Sequence, residues 1–306
     1  VLAKKFGAAV VTLEHRYYGK SSPFKTLTTE NLKFLSSKQA LFDLAAFRQF
    51  YQASCGYLTC NRTDESLNLK LNRANVENPW FVFGISYAGA LSAWFRLKFP
   101  HLTCGSLASS GVVHAILNFT EYDQQIGKSA GPECKAVLQE VTRLVELRLT
   151  SDGEALKTIF GASAGAYAKY VNEYYVGSFG VNIQSYTQEY LKKTTLSDSE
   201  SGDRLWWFQV CTEVAFFQVA PANDSIRSSK IDIGYMTKTH FLICSQIVFT
   251  NGSQDPWRHA SKQNSSPGRN SKNCSSPDAV NKVRQQMIEQ IDLWLSQCHA
   301  AGRSSM

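Results

Sequence analysis

The strongest constraint on the fold is a segment in which a buried strand, a tight turn and a helix follow one another without a gap. Trp80 to Phe83 is a short apolar run typical of a buried strand, and the turn GISYAG follows over residues 84–89. An apolar helical pattern then continues until Pro100 ends it. Since strands that alternate with helices pack as a parallel sheet, the sequence predicts an α/β fold.

Further apolar runs extend this alternation along the chain. The other predicted strands are 8–13, 107–113 and 247–249, and the other predicted helices are 38–52 and 280–298. Ser37 is the expected N-cap of the first of these helices, and Ser276, with Pro277 after it, begins the last. From about Tyr122 the pattern changes to helices separated by Gly, Ser and Thr, which predicts a helical insertion. Its predicted helices centre on 137–145, 155–160, 167–175 and 183–191.

We therefore expect one α/β domain that is interrupted by a helical insertion. The first part of the α/β domain is predicted at 1–121, the insertion at 122–212 and the second part at 213–306. A chain of 306 residues with 43% hydrophobic residues can bury a core of this size. We expect no membrane span, because no window reaches the roughly 18 uninterrupted apolar residues that one requires.

Ser86 is the first residue with a chemical interpretation. It lies where a strand passes into a helix, with Gly84 two residues before it and Gly89 three after it. A strained turn of this kind exposes a serine hydroxyl, and the helix N-terminus offers backbone N–H groups to an oxyanion. The strict G-x-S-x-G pattern is not met, since Ala88 occupies its last position, but alanine is small enough for close packing. Ser86 is thus a candidate nucleophile, with an ordinary strand-to-helix turn as the alternative.

Asp255 is the second candidate. It follows the predicted strand 247–249 by a few residues, in a loop that contains Gly and Pro. In α/β-hydrolases the catalytic residues follow the chain order Ser, acid, His, and the acid lies on a loop after a late strand. Asp255 fits the place of the acid, whereas an Asx turn before Pro256 is the structural alternative.

Three motifs occur in the order in which the S28 family of serine peptidases carries them. They are EHRYYGKS at 14–21, GISYAG at 84–89 and NGSQDPW at 251–257. The phrases SAWFRLKFPHL and WWFQVCTEVAFFQVAP are also similar to that family. The chain therefore resembles the S28 peptidases over most of its length, and is most similar to their plant and thymus-specific-protease-like branch.

The resemblance implies an α/β-hydrolase fold in which the helical insertion caps the active site. It implies that Ser86 is the nucleophile, Asp255 the orienting acid and the Tyr87 backbone N–H an oxyanion donor. It places the 14–21 segment near the site, although a buried, ion-paired strand end explains that segment equally well. It further implies cleavage of short peptides after proline, by an enzyme of the extracellular space, vacuole or lysosome that uses no cofactor or metal.

The catalytic histidine is where the chain departs from the family pattern. The family carries this residue after the acid and beyond one more strand, whereas residues 256–276 are polar here and His259 is their only histidine. His259 is close enough in sequence to contact Asp255 but does not match the family position, and we otherwise expect it at the surface. The activity of the chain is therefore in question, and truncation of the family sequence would explain the departure. A catalytically inactive binding protein or non-functional isoform is the alternative to a peptidase, and an esterase or lipase is a third reading.

Cysteines and glycosylation sequons favour the secretory route. Eight cysteines without a C-x-x-C pair suit disulfides better than a zinc site. We expect a disulfide between Cys134 and Cys211, and a buried free thiol at Cys104. Six N-x-S/T sequons occur, at Asn61, Asn118, Asn223, Asn251, Asn264 and Asn273.

The charge pattern bears on possible partners. The net charge is +7, but the basic residues are scattered and no recognition motif for nucleic acid accompanies them. We therefore expect short proline-containing peptides as substrates and no nucleic-acid partner. A homodimer is compatible with the sequence.

Overall fold

The computed structural model describes most of the predicted first part of the α/β domain, much of the helical insertion and a smaller share of the second part. The described residues are 2–52, 78–116, 118–151, 169, 171–180, 188–195, 202–232, 247–250, 259–261, 285–289 and 291–293.

Three parallel strands form the described sheet. β1 is Phe81–Ile85, β2 is Gly105–Ser109 and β3 is Ile247–Thr250, and they lie in the order β1-β2-β3. Both pairings are parallel, and their register puts the last residues of the three strands side by side. This small parallel sheet, combined with helices, agrees with the predicted α/β class. The strand expected at 107–113 ends earlier, at Ser109, because Ser110 has a φ of 46° and turns the chain out of the sheet.

Two helices pack together beside the sheet. After the short helix α1, Leu2–Phe6, the helix α2 spans Ser37–Gln52 and α3 spans Tyr87–Lys98. Apolar side chains spaced three or four residues apart bring α2 and α3 into contact. The buried cluster consists of Ala40, Leu41, Ala45, Leu91, Phe95 and Leu102. As predicted, α3 ends before Pro100, whose carbonyl accepts a hydrogen bond of 2.6 Å from Arg96.

The N-cap of α2 is Ser36 and not the predicted Ser37. The Ser36 hydroxyl oxygen accepts a hydrogen bond of 3.2 Å from the Gln39 backbone N–H, and the Ser36 carbonyl accepts one of 3.0 Å from Ala40. Ser37 is the first residue of the helix itself. Two consecutive serines satisfy the same sequence pattern, so only the backbone geometry distinguishes them.

The strand predicted at 8–13 is wrong. Residues 8–14 form no regular element in the structure, and the side chains of Val10 and Leu13 are exposed. An apolar, β-branched run becomes a strand only where a neighbouring strand accepts its backbone hydrogen bonds. Within the described residues, β1 pairs with β2 and no strand pairs with 8–13.

β1 is an outer strand of the described sheet and has one open face. Because side chains alternate between the two faces of a strand, Val82 packs toward the cluster of α2 and α3. Phe83 and Ile85 point to the opposite face, where they are 66% and 68% exposed. The outer side of β1 therefore presents large apolar groups.

The helices of the predicted insertion lie in a second compact unit. The first unit comprises 1–16, 34–114 and 241–306, and the second comprises 17–33 and 115–240. Regular helices of the second unit are α4, Thr120–Ala130; α5, Pro132–Ser151; α6, Gln188–Leu191; and α7, Gly202–Gln209. It also contains π-helical turns at Val171–Ser178 and Val210–Val214, and most of a 3₁₀ turn at Asn31–Phe34. The predicted helix at 155–160 lies outside the described residues, and the predicted domain boundaries stay a prediction.

The C-terminal helix is described in part. Residues 285–289 and 291–293 are helical, inside the predicted helix 280–298. Its expected first residues, Ser276 and Pro277, lie outside the described residues.

A buried carboxylate organises the second unit. Asp123 on α4 is fully buried and accepts a hydrogen bond of 2.7 Å from Arg227 Nε. The Ser225 hydroxyl and the Ile226 backbone N–H donate two more bonds to it, each of 3.1 Å. The loop at 225–227 is thus attached to α4 through one side chain, because a buried charge requires both a counter-ion and hydrogen-bond donors.

Both expectations about individual cysteines are wrong. Cys134 and Cys211 are free thiols, and Cys104, which we expected to be a free thiol, is in a disulfide. Separation along the sequence does not set the distance between two Cα atoms, which must be about 4.4–6.8 Å for a disulfide. Burial raises the pKa of the Cys211 thiol.

Candidate active site

Ser86 lies in a strained turn between β1 and α3. Its φ of 58° and ψ of −125° are unusual for a residue with a side chain. The backbone holds this conformation from two sides, because the Ser86 N–H donates to the Ser109 carbonyl and the Ala90 N–H donates to the Ser86 carbonyl, both at 3.0 Å. The Ser86 side chain is exposed and makes no cap hydrogen bond to the helix. The turn therefore presents the hydroxyl outward.

Two glycines make this turn sterically allowed. A Cβ atom on Gly84 would lie 2.1 Å from the Ala88 carbonyl oxygen, and one on Gly89 would lie 2.9 Å from the Ser109 carbonyl oxygen. Real Cβ atoms do not approach so closely, so larger residues at 84 or 89 would displace α3 from the sheet. Ala88 is exposed, which explains why it need not be glycine.

Tyr87, the first residue of α3, contacts His15. The His15 Nε2 atom lies 3.2 Å from the Tyr87 hydroxyl oxygen, and the two ring centroids are 5.6 Å apart. The other ring nitrogen, Nδ1, lies 2.8 Å from the Arg16 carbonyl oxygen, which can only accept. Nδ1 therefore carries the proton in the neutral ring, and Nε2 accepts the hydrogen bond from Tyr87.

The environment of His15 keeps its imidazole neutral. Burial is the main factor that lowers the pKa of His15 below 6.5, and the nearby Arg16 guanidinium lowers it further. The hydrogen bond to the Arg16 carbonyl and the Asp43 carboxylate act in the opposite direction but do not outweigh burial. His15 thus remains a hydrogen-bond acceptor at lower pH than an ordinary histidine.

The contact between His15 and Tyr87 was not predicted from the sequence. Because His15 precedes Asp255, the chain order Ser, acid, His does not favour it as the catalytic base. The signal that could have found it is the EHRYYGKS motif, which the family resemblance already placed near the site.

The same segment also forms an ion pair. Arg16 Nε and a terminal nitrogen each lie 2.6 Å from one oxygen of Asp43 on α2, and Arg16 also donates to the Phe34 carbonyl at 3.1 Å. Two parallel N–H···O bonds fix a guanidinium in orientation as well as in position. His15 in the 14–21 segment thus contacts the first residue of α3, and Arg16 is ion-paired. The segment is not the buried strand end of the second interpretation, because residues 8–14 form no strand and the Asp43 side chain is 38% exposed.

Asp255 lies outside the described residues. β3, which precedes it, ends level with β1 at the edge of the sheet where Ser86 is found. His259 is half-buried and not at the open surface as expected, and the next two residues, Ala260 and Ser261, are buried. The Ala260 carbonyl accepts a hydrogen bond of 3.1 Å from the His114 N–H.

A cavity of about 480 Å³ lies in the second unit and not at the Ser86 turn. Residues of α4, of the start of α5 and of the loop at 223–224 line it. Its charged side chains include Lys128, Lys135 and Asp224, and the last two form an ion pair. None of the predicted site residues lines this cavity.

The part of the chain that the structure describes contains no cluster of three or more His, Cys, Asp or Glu side chains that could bind a metal ion. None of the helices in this part is long and apolar enough to cross a membrane.

Comparison with known proteins identifies the family. Residues 1–165 match the family model described as Serine carboxypeptidase S28. A probable serine protease EDA2 of Arabidopsis thaliana is 46% identical over all of this chain and 79% of its own length. The human thymus-specific serine protease is 40% identical over 50% of this chain and 28% of its own length. The lysosomal Pro-X carboxypeptidase of Pongo abelii is 31% identical over 53% of this chain and 31% of its own length.

The family match and the names of these relatives identify the chain as a serine-type peptidase. The chain belongs to the serine carboxypeptidase S28 family. This family suggests an α/β-hydrolase fold and peptide substrates, and the lysosomal relative is consistent with the secretory pathway. The alignment with the Arabidopsis protein covers 400 positions, more than the 306 residues of this chain, so that relative has segments without a counterpart here.

Proposed function

We propose that this chain is a serine-type exopeptidase that cleaves short peptides after proline through an acyl-enzyme. Ser86 attacks the scissile carbonyl carbon, a histidine takes its proton, and Asp255 orients that histidine. The fold that goes with this proposal is an α/β-hydrolase with the 122–212 helices as a cap. A homodimer in an extracellular, vacuolar or lysosomal compartment belongs to the same proposal.

The observation that carries the proposal is the backbone conformation of Ser86. An ordinary strand-to-helix turn has no need of a residue with positive φ, and such strain persists only where the surrounding structure holds it. Here two backbone hydrogen bonds and the close approach at Gly84 and Gly89 hold it. These are the features of a nucleophile elbow.

The N-terminus of α3 supplies the electrostatic part of the mechanism. The first N–H groups of a helix have no carbonyl partner within that helix, and the helix dipole makes this end positive. The Tyr87 N–H, next to the nucleophile, is the donor we assign to the developing oxyanion. One such donor contributes about 10²–10³-fold to the rate in a well-characterised serine protease.

Proline specificity rests on the family resemblance. One relative is named a Pro-X carboxypeptidase, and the motifs shared with this family include Ser86 and the DPW sequence at 255–257. Turnover of proline-containing dipeptide amides, compared with aryl esters, tests this part. Preferential hydrolysis of the esters would favour the hypothesis that the chain is an esterase.

A catalytically inactive binding protein is the second candidate. One observation in its favour is the polar stretch 256–276, in which His259 is the only histidine. Another is that the Arabidopsis relative has segments without a counterpart in this chain. Loss of the base from a catalytic triad costs about 10⁶-fold in rate in a bacterial serine protease. Ser86 would then be an ordinary hydroxyl in a strained turn.

Labelling with a fluorophosphonate probe tests the proposal directly. We expect the folded chain to react at Ser86, and Ser86→Ala to abolish the reaction. Ser110→Ala is the matched control, since Ser110 also follows a strand and has positive φ but does not begin a helix, and it should still label. His259→Ala identifies the base: loss of labelling would assign that role to His259. An unlabelled but folded chain would favour the inactive candidate.

A further inference from the structure

We infer that His15 is a positioning residue for the turn that carries Ser86, acting through the hydrogen bond that it accepts from the Tyr87 hydroxyl. This inference rests on the proposed function of Ser86. It assigns no contact with substrate to His15, which acts through Tyr87.

Two attachments of the turn lie within the described part of the chain. The first is the hydrogen bond of 3.0 Å from the Ser86 N–H to the Ser109 carbonyl, which fixes the turn to β2. The second is the Tyr87 side chain, whose hydroxyl lies 3.2 Å from His15 Nε2. Since Tyr87 follows Ser86 directly, an attachment at its side chain restricts the backbone that offers its N–H to an oxyanion.

His15 is itself held in place, as a positioning residue must be. Its Nδ1–H donates to the Arg16 carbonyl at 2.8 Å, and the Arg16 side chain makes two hydrogen bonds of 2.6 Å to Asp43 on α2. α2 in turn packs on α3 through the buried cluster. The contacts therefore lead from α2 through Arg16 and His15 back to the first residue of α3.

The hydrogen bond depends on the protonation state of His15. Among the described residues, the ionisable groups around the imidazole include Arg16 on its own segment, Asp43 on α2 and Tyr87 on α3. A proton on Nε2 would reverse this hydrogen bond, because Nε2–H would then donate to the Tyr87 hydroxyl oxygen and the hydroxyl hydrogen would have to turn to another acceptor.

Amide hydrogen exchange followed by NMR tests the inference without requiring activity. Tyr87→Phe removes the hydroxyl and keeps the ring and the backbone N–H. We expect the Ser86 and Ala90 amides, which hold the turn, to exchange about fivefold faster in Tyr87→Phe, the effect of losing one hydrogen bond. Wild-type exchange rates at both amides would overturn the inference.

Three further variants separate positioning from general destabilisation. His15→Leu should accelerate the same two amides, and His15→Gln, whose amide can both donate and accept, should restore most of the protection. Tyr18→Phe is the matched control, because the Tyr18 hydroxyl donates to the buried Gln209 at 2.7 Å in the second unit. It should leave Ser86 and Ala90 unchanged. Equal exchange in the Leu and Gln variants would contradict a hydrogen-bond role.

Probe labelling then connects the turn to chemistry. In a wild-type chain that labels, Tyr87→Phe should lower the labelling rate about fivefold at neutral pH, and His15→Gln should lower it less than His15→Leu does. An unchanged rate in Tyr87→Phe would contradict positioning. A wild-type chain that does not label counts against the proposed function, while the exchange measurement still decides on His15.

Discussion

At the scale of single residues, the decisive positions are those whose geometry admits few alternatives. The tight strand-to-helix turn at Gly84 and Gly89 could be recognised from the sequence, because only small residues fit where a helix approaches a strand closely. The pair of His15 and Tyr87 lies 72 residues apart in the chain, and no local pattern predicts which side chains meet over that distance. The same limit applies to the cysteines, whose pairing depends on distances in space.

Replacement of Gly84 is the sharpest residue-scale test of the nucleophile turn. Gly84→Ala puts a Cβ within 2.1 Å of the Ala88 carbonyl, so the turn must shift. We expect a loss of about 1–3 kcal/mol in the free energy of unfolding, measured by urea titration, and loss of probe labelling at Ser86.

Ala88→Gly is the control for that variant. It changes the neighbouring, exposed helical position by the same single methyl group, costs about 1 kcal/mol and should keep the labelling. Labelling of Gly84→Ala at the wild-type rate would show that the turn does not depend on this glycine.

At the scale of elements, periodicity predicted the helices and strands that bury one face, but it failed for a segment that needs a neighbouring strand. The helices α2 and α3 and all three described strands lie within a few residues of their predicted ranges, since burial of one face leaves a repeat in the sequence. The run at 8–13 has the composition of a strand, but composition does not show whether a neighbouring strand is there to accept its hydrogen bonds. The two serines at 36 and 37 show the same limit at a helix start.

The attachment of the 14–16 segment to α2 and α3 predicts a pH dependence of stability. Because the folded-state pKa of His15 is lowered, the unfolded chain binds more protons below pH 6.5 than the folded chain does. The contribution of His15 is therefore fully present above pH 6.5 and is lost as the pH falls below it. Urea titrations at several pH values should show a smaller decline toward acid for His15→Gln than for wild type.

His101→Gln controls for the loss of a histidine. His101 is exposed on the turn after α3, so its replacement should leave the wild-type decline unchanged. A His15→Gln profile that parallels wild type would show that the imidazole does not titrate differently in the folded state.

At the scale of the whole molecule, the chain consists of two compact units with different features. The Ser86 turn belongs to the first unit, and the buried carboxylate of Asp123 belongs to the second. The sequence predicted a helical insertion from a change of period at Tyr122. It did not indicate that Asp123, the next residue, would be buried and paired with Arg227, because an acidic residue in a first helical turn normally faces solvent.

Asp123→Ala tests how strongly the second unit depends on that carboxylate. Removal of one partner of a buried ion pair costs about 3–5 kcal/mol, so we expect a clear drop in the urea midpoint followed by circular dichroism. Asp224→Asn, which removes an exposed charge paired with Lys135 and keeps a side chain that tolerates the φ of 61° at this position, should change the midpoint little. Equal effects of the two substitutions would contradict a special role for Asp123.

The open outer face of β1 bears on the behaviour of the protein in concentrated solution. Phe83 and Ile85 are exposed on β1, which is an outer strand among the described strands, and the unpaired edge of an outer strand can pair with another chain, which is a route to aggregation. A net charge of +7 opposes such encounters at low ionic strength, because like-charged molecules repel. Salt shortens the range of that repulsion to about 8 Å at physiological strength. Added salt should therefore increase the turbidity of concentrated samples, whereas dilute, low-salt buffers should keep the molecules apart.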